Sequence, residues 1–167
     1  MTDSIREYSE YRIPRQMLGD QEYDGHLSIH DDQMAEGLGF SGAPIEGPTH
    51  FSQFIHLLHD YFGDIWFEQG CISAHYQNMV VEGEEIGAFI DIPAEQSALI
   101  HIGAEKRDGT PVLTGTASID PDYGETEIDL RMARLRPAGQ LVILSDLEVG
   151  QKGSGDPEDA IMDYDQN

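Results

Sequence analysis

A chain of 167 residues can form one domain with a substantial core, but it is too short for two ordinary domains with separate cores. Its net charge of −23, from 32 acidic and 9 basic residues, argues against nucleic acid or an anionic membrane surface as a partner, because like charges repel. The single cysteine, Cys71, rules out an internal disulfide and a cysteine-based metal cluster.

The acidic residues are expected to lie on a folded surface, since 39% of the residues are hydrophobic and 51–62 is an apolar run. Such a surface repels itself at low ionic strength and is screened by salt, which favours a halophilic or marine source. The alternative is an ordinary acidic protein with one acidic tail. No basic start followed by an apolar stretch and no segment of transmembrane length occurs, so a cytoplasmic location is expected.

In chain order, residues 1–20 are polar without a sustained period and are expected to form an arm that packs on a domain or a partner. The short alternation in 24–29 predicts a strand. A short helix follows, with an aspartate at 31 or 32 as its cap and Gly37 near its end.

The main helix is predicted over 48–62. Pro48 suits a first helical turn because it lacks an N–H and has a preset φ, and Gly63 with Asp64 ends the segment. Its apolar residues cover more than one face, which is typical of a helix enclosed by a sheet; they are Phe51, Phe54, Ile55, Leu57, Leu58, Tyr61 and Phe62.

After this helix the apolar residues alternate with a period of two. Short links with turn residues at 82–84 and 108–109 favour an antiparallel meander of four strands, predicted at 71–81, 86–92, 98–106 and 112–119. Two further strands, 127–135 and 141–144, are predicted to form an added hairpin, and 151–167 reads as an acidic, disordered tail. The prediction is therefore one α+β domain over 21–150, a sheet wrapped around one helix.

The stretch 23–83 resembles the MaoC-like branch of the hot-dog superfamily, which includes (R)-specific enoyl-CoA hydratases and acyl dehydratases. The resemblance lies in His30-Asp31-Asp32, Gly39-Phe40, the run Ala43-Pro44-Ile45-Glu46-Gly47-Pro48-Thr49-His50 and Val81-Glu82-Gly83-Glu84-Glu85. It implies a single hot-dog domain, a curved antiparallel sheet around one central helix, acting on an acyl thioester without a cofactor.

The chain departs from the family pattern at two places. His30 and Asp32 keep the histidine-x-aspartate of the hydratases, but the preceding asparagine-proline is absent and Asp24 is one position from the expected catalytic aspartate. Glu46-Gly47 stands where the hydratases have histidine-glycine. The resemblance implies His30 as base, Asp24 as its partner and the Gly47 amide as donor to the thioester carbonyl. Alternatively, His30 bonds a neighbour and Asp32 caps the short helix.

Glu46 is a second catalytic candidate, because a carboxylate beside the start of the buried helix would lie at the acyl-binding position of this fold and could hydrolyse a thioester as base or nucleophile. Alternatively, it only complements the helix dipole. His50 is one turn away and could contact Glu46 or simply pack. Pro48 and Thr49 complete the candidate substrate-binding segment with Gly47.

Arg131, Arg134 and Arg136 form a basic cluster that could bind the phosphates of coenzyme A or a carrier protein, or could pair with surplus carboxylates. His56 and His59 could bind a metal only with a third ligand, and no metal site is predicted.

Three functions remain open: a MaoC-like hydratase or dehydratase, a hot-dog thioesterase using Glu46, and a non-catalytic acyl-binding or assembly protein. A homodimer or higher homo-oligomer is expected, because the sheet leaves an open edge.

Overall fold

The computed structural model describes residues 4–16, 28–120, 124–137, 139–140 and 145–153. The chain forms two compact units, Met1–Arg134 and Leu135–Asn167. The described residues of the second unit are exposed and contain turns, one of them at Gly150 with a φ of 88°. The candidate site lies in the first unit.

A five-stranded antiparallel sheet is the framework of the first unit. Its strands lie in the order β1-β3-β4-β5-β2, so that β1 and β2 form the two edges. Their bounds are β1 Ser4–Tyr8, β2 Cys71–Tyr76, β3 Ile86–Pro93, β4 Leu99–Lys106 and β5 Pro111–Ser118. The four predicted strands are confirmed, with β2 shorter than expected, but only β3, β4 and β5 form a meander, because β2 pairs with β5 and not with β3. Gly109 at the β4–β5 turn has a φ of 84°, a conformation that favours glycine.

Among the described residues, five α-helices accompany the sheet, namely α1 Asp32–Gly37, α2 Gly47–Phe51, α3 Ile55–Phe62, α4 Ile65–Gln69 and α5 Glu127–Ala133. A 3₁₀ turn, Ser52–Phe54, joins α2 to α3, so that 47–62 forms one nearly continuous central helix. It ends as predicted at Gly63, whose φ is 75°. The short helix α4 was not predicted from the sequence.

The central helix packs on the sheet through Phe54, Leu57 and Leu58, which are at most 3% exposed. They meet an apolar sheet face that includes Ile90 and Ile102. Burying one such side chain contributes about 1.5–3 kcal/mol, so this contact holds the helix on the sheet. The order of one strand, one central helix and four further strands in a single antiparallel sheet confirms the predicted α+β hot-dog architecture. Ile55, in contrast, is 45% exposed, so the sheet does not enclose every apolar face of the helix.

The N-terminal segment contains a strand that the sequence did not reveal. All five side chains of β1 are exposed, so no apolar alternation marks it. The strand is held by backbone pairing with β3 and by the Arg6 guanidinium, which donates to both carboxylate oxygens of Asp91 and lies over the Phe89 ring. The arm therefore packs on the sheet as its edge strand.

The predicted hairpin is wrong in its first strand, because 127–133 is α5. Alternation of Ile128, Leu130 and Met132 suggested a strand, but Thr126 and Asp129 form a reciprocal capping box that starts a helix. The first amides of α5 donate to hydroxyls of the sheet, Glu127 N–H to Thr116 Oγ1 and Ile128 N–H to Ser73 Oγ. The predicted strand 141–144 and most of the predicted tail lie outside the described residues.

Candidate functional site

A fixed loop positions Glu46 at the start of the central helix. The Ile45 N–H donates to the Val80 carbonyl at 2.8 Å, and Pro44 forms an isolated bridge with Val81. Glu46 is the N-cap residue of α2, with an extended backbone at φ −61° and ψ 137°. Only 8% of the residue is exposed, so a carboxylate is held in a largely buried position at the helix start.

Glu46 and His50 form the electrostatic centre of the site. Their spacing of four residues places them one turn apart, and Thr49 Oγ1 donates to Glu46 Oε2 at 3.4 Å. His50 is 3% exposed, and its Nδ1 has no hydrogen-bond partner among the residues that the structure describes. Burial lowers the pKa of His50, and the negative charge of Glu46 opposes this shift only in part. A neutral imidazole therefore lies beside a buried carboxylate.

Tyr76, at the end of β2, covers this helix start. Its ring stacks on Phe51 with centroids 6.2 Å apart and is tilted against His50 at 6.3 Å. A Cβ on Gly47 would lie 2.9 Å from the Tyr76 hydroxyl oxygen, so glycine is required at 47 for this close approach. Burial raises the pKa of Tyr76, which keeps its hydroxyl protonated. The alternation of β2 could have indicated that Tyr76 faces the helix, but the sequence gave no sign of its position over Gly47.

The Gly47 N–H is a candidate donor in the first turn of α2. Pro48 has no N–H, and the Thr49 N–H donates to the Glu46 carbonyl at 3.1 Å. Gly47 is the first residue of α2, so no preceding helical turn supplies an acceptor for its N–H, and the Tyr76 side chain lies next to the residue. Pro48 is exposed and Thr49 is half-buried, and substrate binding by these two residues stays a prediction.

His30 lies against the loop that leads to Glu46. Its Nδ1 is 2.6 Å from the Pro44 carbonyl oxygen, which can only accept, so Nδ1 is the donor of this hydrogen bond. Gln16 Nε2 donates to the same carbonyl at 3.2 Å. Asp24, the predicted partner of His30, lies outside the described residues.

The two aspartates after His30 have structural roles. Asp31, not Asp32, caps α1, since its carboxylate accepts from the Met34 N–H. Asp32 instead accepts from the Ala43 N–H at 2.8 Å and fixes the loop before Glu46. The assignment of the cap to Asp32 is therefore wrong.

The predicted arginine cluster is divided between the two units. Arg131 on α5 donates to Nδ1 of His75, which lies next to Tyr76 on β2 but on the opposite face of the strand. Arg134 is the C-cap residue of α5, and Arg136 belongs to the second unit. Their role in binding phosphate stays a prediction.

The helix histidines are separate from the site. His59 Nε2 is 3.0 Å from Asp64 Oδ1, and His56 is half-buried on the same helix. Among the residues that the structure describes, no group of three potential ligands could hold a metal ion.

No protein-family model and no curated protein matches this chain. Four chains of solved structures match it. One is the (R)-hydratase from A. caviae involved in PHA biosynthesis, which is 15% identical with a TM-score of 0.47 over 71% of this chain and 96% of the hydratase chain. That similarity concerns the fold alone. This chain has a hot-dog fold. Its element order and sheet topology define this fold, and Glu46, His50 and Tyr76 lie at the start of its central helix.

Burial of neutral His50 predicts a loss of stability on acidification. The folded-state pKa is lowered from the unfolded value of about 6.5, so below that pH the unfolded chain binds more protons and is favoured. We expect His50→Gln to have a shallower decline in unfolding free energy than the wild type between about pH 7 and 5. Urea unfolding at several pH values in constant salt measures the difference, and equal slopes would contradict the prediction.

Proposed function

We propose that this protein is an enzyme that adds water to, or removes it from, an acyl thioester, as a hydratase or dehydratase of the MaoC-like type. The observation that carries the proposal is the buried Glu46 carboxylate beside neutral His50 at the start of the central helix. A buried carboxylate and an imidazole one helical turn apart are groups of the kind that general acid–base catalysis uses.

A single ionisable group, Glu46, can carry out both proton transfers of the proposed hydration. Glu46 takes a proton from water, the hydroxyl oxygen bonds to the β-carbon, and the electrons of the carbon–carbon double bond move to the thioester oxygen as an enolate. The enolate then re-forms the carbonyl as its α-carbon takes the proton back from Glu46. Elimination follows the same steps in reverse. His30, with Asp24, is the alternative base that the family resemblance implies.

Hydrolysis is the second candidate function, because Glu46 rather than a histidine stands before Gly47 and is largely buried. Glu46 would then take a proton from water, whose oxygen attacks the carbonyl carbon, and return the proton to the departing thiolate, or it would attack the carbon directly and form an anhydride that water hydrolyses, with the proton of that water going to the thiolate. The Gly47 N–H would face the developing oxyanion in either reaction.

The proposal includes coenzyme A or a carrier protein as the thioester carrier, a cytoplasmic location and a homodimer or higher homo-oligomer. The edge strand β2 supports the assembly, since β5 is its only partner strand among the described elements. No helix of the described residues could span a membrane.

A panel of enoyl-CoA and saturated acyl-CoA thioesters, assayed in high salt, tests the function. Loss of the enoyl absorbance without free thiol indicates hydration, whereas release of free coenzyme A indicates hydrolysis. If neither signal appears with any substrate, the enzyme assignment is wrong and a non-catalytic acyl-binding role replaces it.

A further inference from the structure

The Tyr76 hydroxyl is the polar group nearest to Gly47 that no predicted role uses. Tyr76 has the same orientation on β2 as Ile72 and Ala74, which pack against the core, so its side chain faces the central helix. Within the part of the chain that the structure describes, its hydroxyl makes no hydrogen bond. Its ring lies against the rings of Phe51 and His50, with centroids 6.2 Å and 6.3 Å away.

Gly47 and Tyr76 are matched in shape. A Cβ at 47 would meet the hydroxyl oxygen at 2.9 Å, the ring carbon that bears it at 3.0 Å and the next ring carbon at 3.3 Å. A Cβ is essentially never found as close as 2.9 Å to another heavy atom, so a larger residue at 47 would require the Tyr76 hydroxyl to shift. The absence of a side chain at 47 therefore sets a hydroxyl directly against the backbone that carries the Gly47 N–H.

We propose that Tyr76 is a catalytic residue, whose hydroxyl and the Gly47 N–H together donate hydrogen bonds to the thioester carbonyl oxygen. This inference rests on the proposed function and extends it with a second donor, supplied by the edge strand of the sheet. Two donors stabilise the charge on the oxygen in the enolate of hydration and in the tetrahedral intermediate of hydrolysis alike. The hydroxyl keeps its proton throughout, since the step is a hydrogen bond and not a transfer.

Tyr76→Phe tests the role without changing the packing of the ring. Because one donor is lost, kcat should fall by about 10²-fold while KM and the melting temperature stay near the wild-type values. Tyr8→Phe is the matched control, because it removes a hydroxyl that lies 3.3 Å from Glu105 on the other side of the sheet. The control should keep wild-type kcat.

The double variant separates a catalytic hydroxyl from a packing role. Gly47→Ala displaces the Tyr76 hydroxyl and should lower kcat in the wild type, but it should lower kcat much less when Tyr76→Phe is already present. Independent, multiplicative losses in the double variant would overturn the proposal, as would a Tyr76→Phe variant with unchanged kcat.

A bound chromophore gives a readout that needs no turnover. The trans-cinnamoyl thioester of coenzyme A absorbs at longer wavelength when its carbonyl is polarised, and its spectrum can be recorded in Glu46→Gln protein, where turnover is expected to be minimal. We expect a red shift that decreases when Tyr76→Phe is added. An undiminished shift overturns the role of Tyr76 and leaves the proposed function standing. If the wild type shows neither turnover of the substrate panel nor any shift, the function and this inference both fail.

Discussion

Glu46→Gln should nearly abolish turnover of the acyl-CoA substrate while the protein stays folded. The amide has the shape of the carboxyl group but cannot take a proton from water. Thr49 can still donate to the amide oxygen, so the contact that fixes the side chain is retained. We expect kcat and kcat/KM to fall together by at least 10²-fold, because the base acts only in the transition state.

Glu127→Gln is the matched control for a purely electrostatic role. Glu127 is the first residue of α5, so it also lies at a helix N-terminus, and α5 contains no histidine. If Glu46 only complements the dipole, both variants should lose a few tenths to about 1 kcal/mol of stability and neither should lose activity. Retained activity in Glu46→Gln would move the base to His30.

Stability should rise with potassium chloride from low to molar concentration. With 32 acidic and 9 basic residues, repulsion among like charges outweighs attraction between opposite ones. The Debye length shortens as salt increases, from about 10 Å at 0.1 M to about 3 Å at 1 M. The repulsion between neighbouring carboxylates is therefore screened only above physiological salt.

The few ion pairs of the sheet act against this trend. Salt weakens the exposed pair of Arg107 with Glu85 and the half-buried pair of Lys106 with Glu84, but each such pair contributes only about 0–1 kcal/mol. Thermal unfolding in potassium chloride, compared with sucrose of equal osmolality, separates charge screening from a general osmolyte effect. A melting temperature that is flat or falls with potassium chloride would refute the halophilic interpretation.

Elements with a buried face could be predicted from the sequence. The central helix has Pro48 at its start, Gly63 at its end and Leu57 and Leu58 on the sheet, so composition and burial agree along its length. Strands β3 to β5 alternate because one of their faces is the core. In each case the local pattern reports a contact that the fold makes.

Elements without a buried face could not be predicted from the sequence. β1 is stabilised by backbone pairing that leaves no pattern in its side chains, and the alternating Ile128 and Met132 of α5 are both more than half exposed. At the site, the proximity of Glu46 and His50 follows from helical spacing, whereas Tyr76 reaches Gly47 from a strand 29 positions later in the chain. Such a contact depends on the packing of two separate elements, which a single sequence does not report.

The attachment of β1 has a consequence for self-association. This strand contributes no buried side chain, so its detachment costs less than global unfolding and leaves the rest of the core intact. Once detached, it would uncover the edge of β3, a strand with buried Ile86, Ala88 and Ile90 that could template strand addition by another copy. Two chains that each carry a net charge of −23 repel one another before their edges can meet. The net negative charge of the chain therefore opposes aggregation when β1 detaches from the sheet.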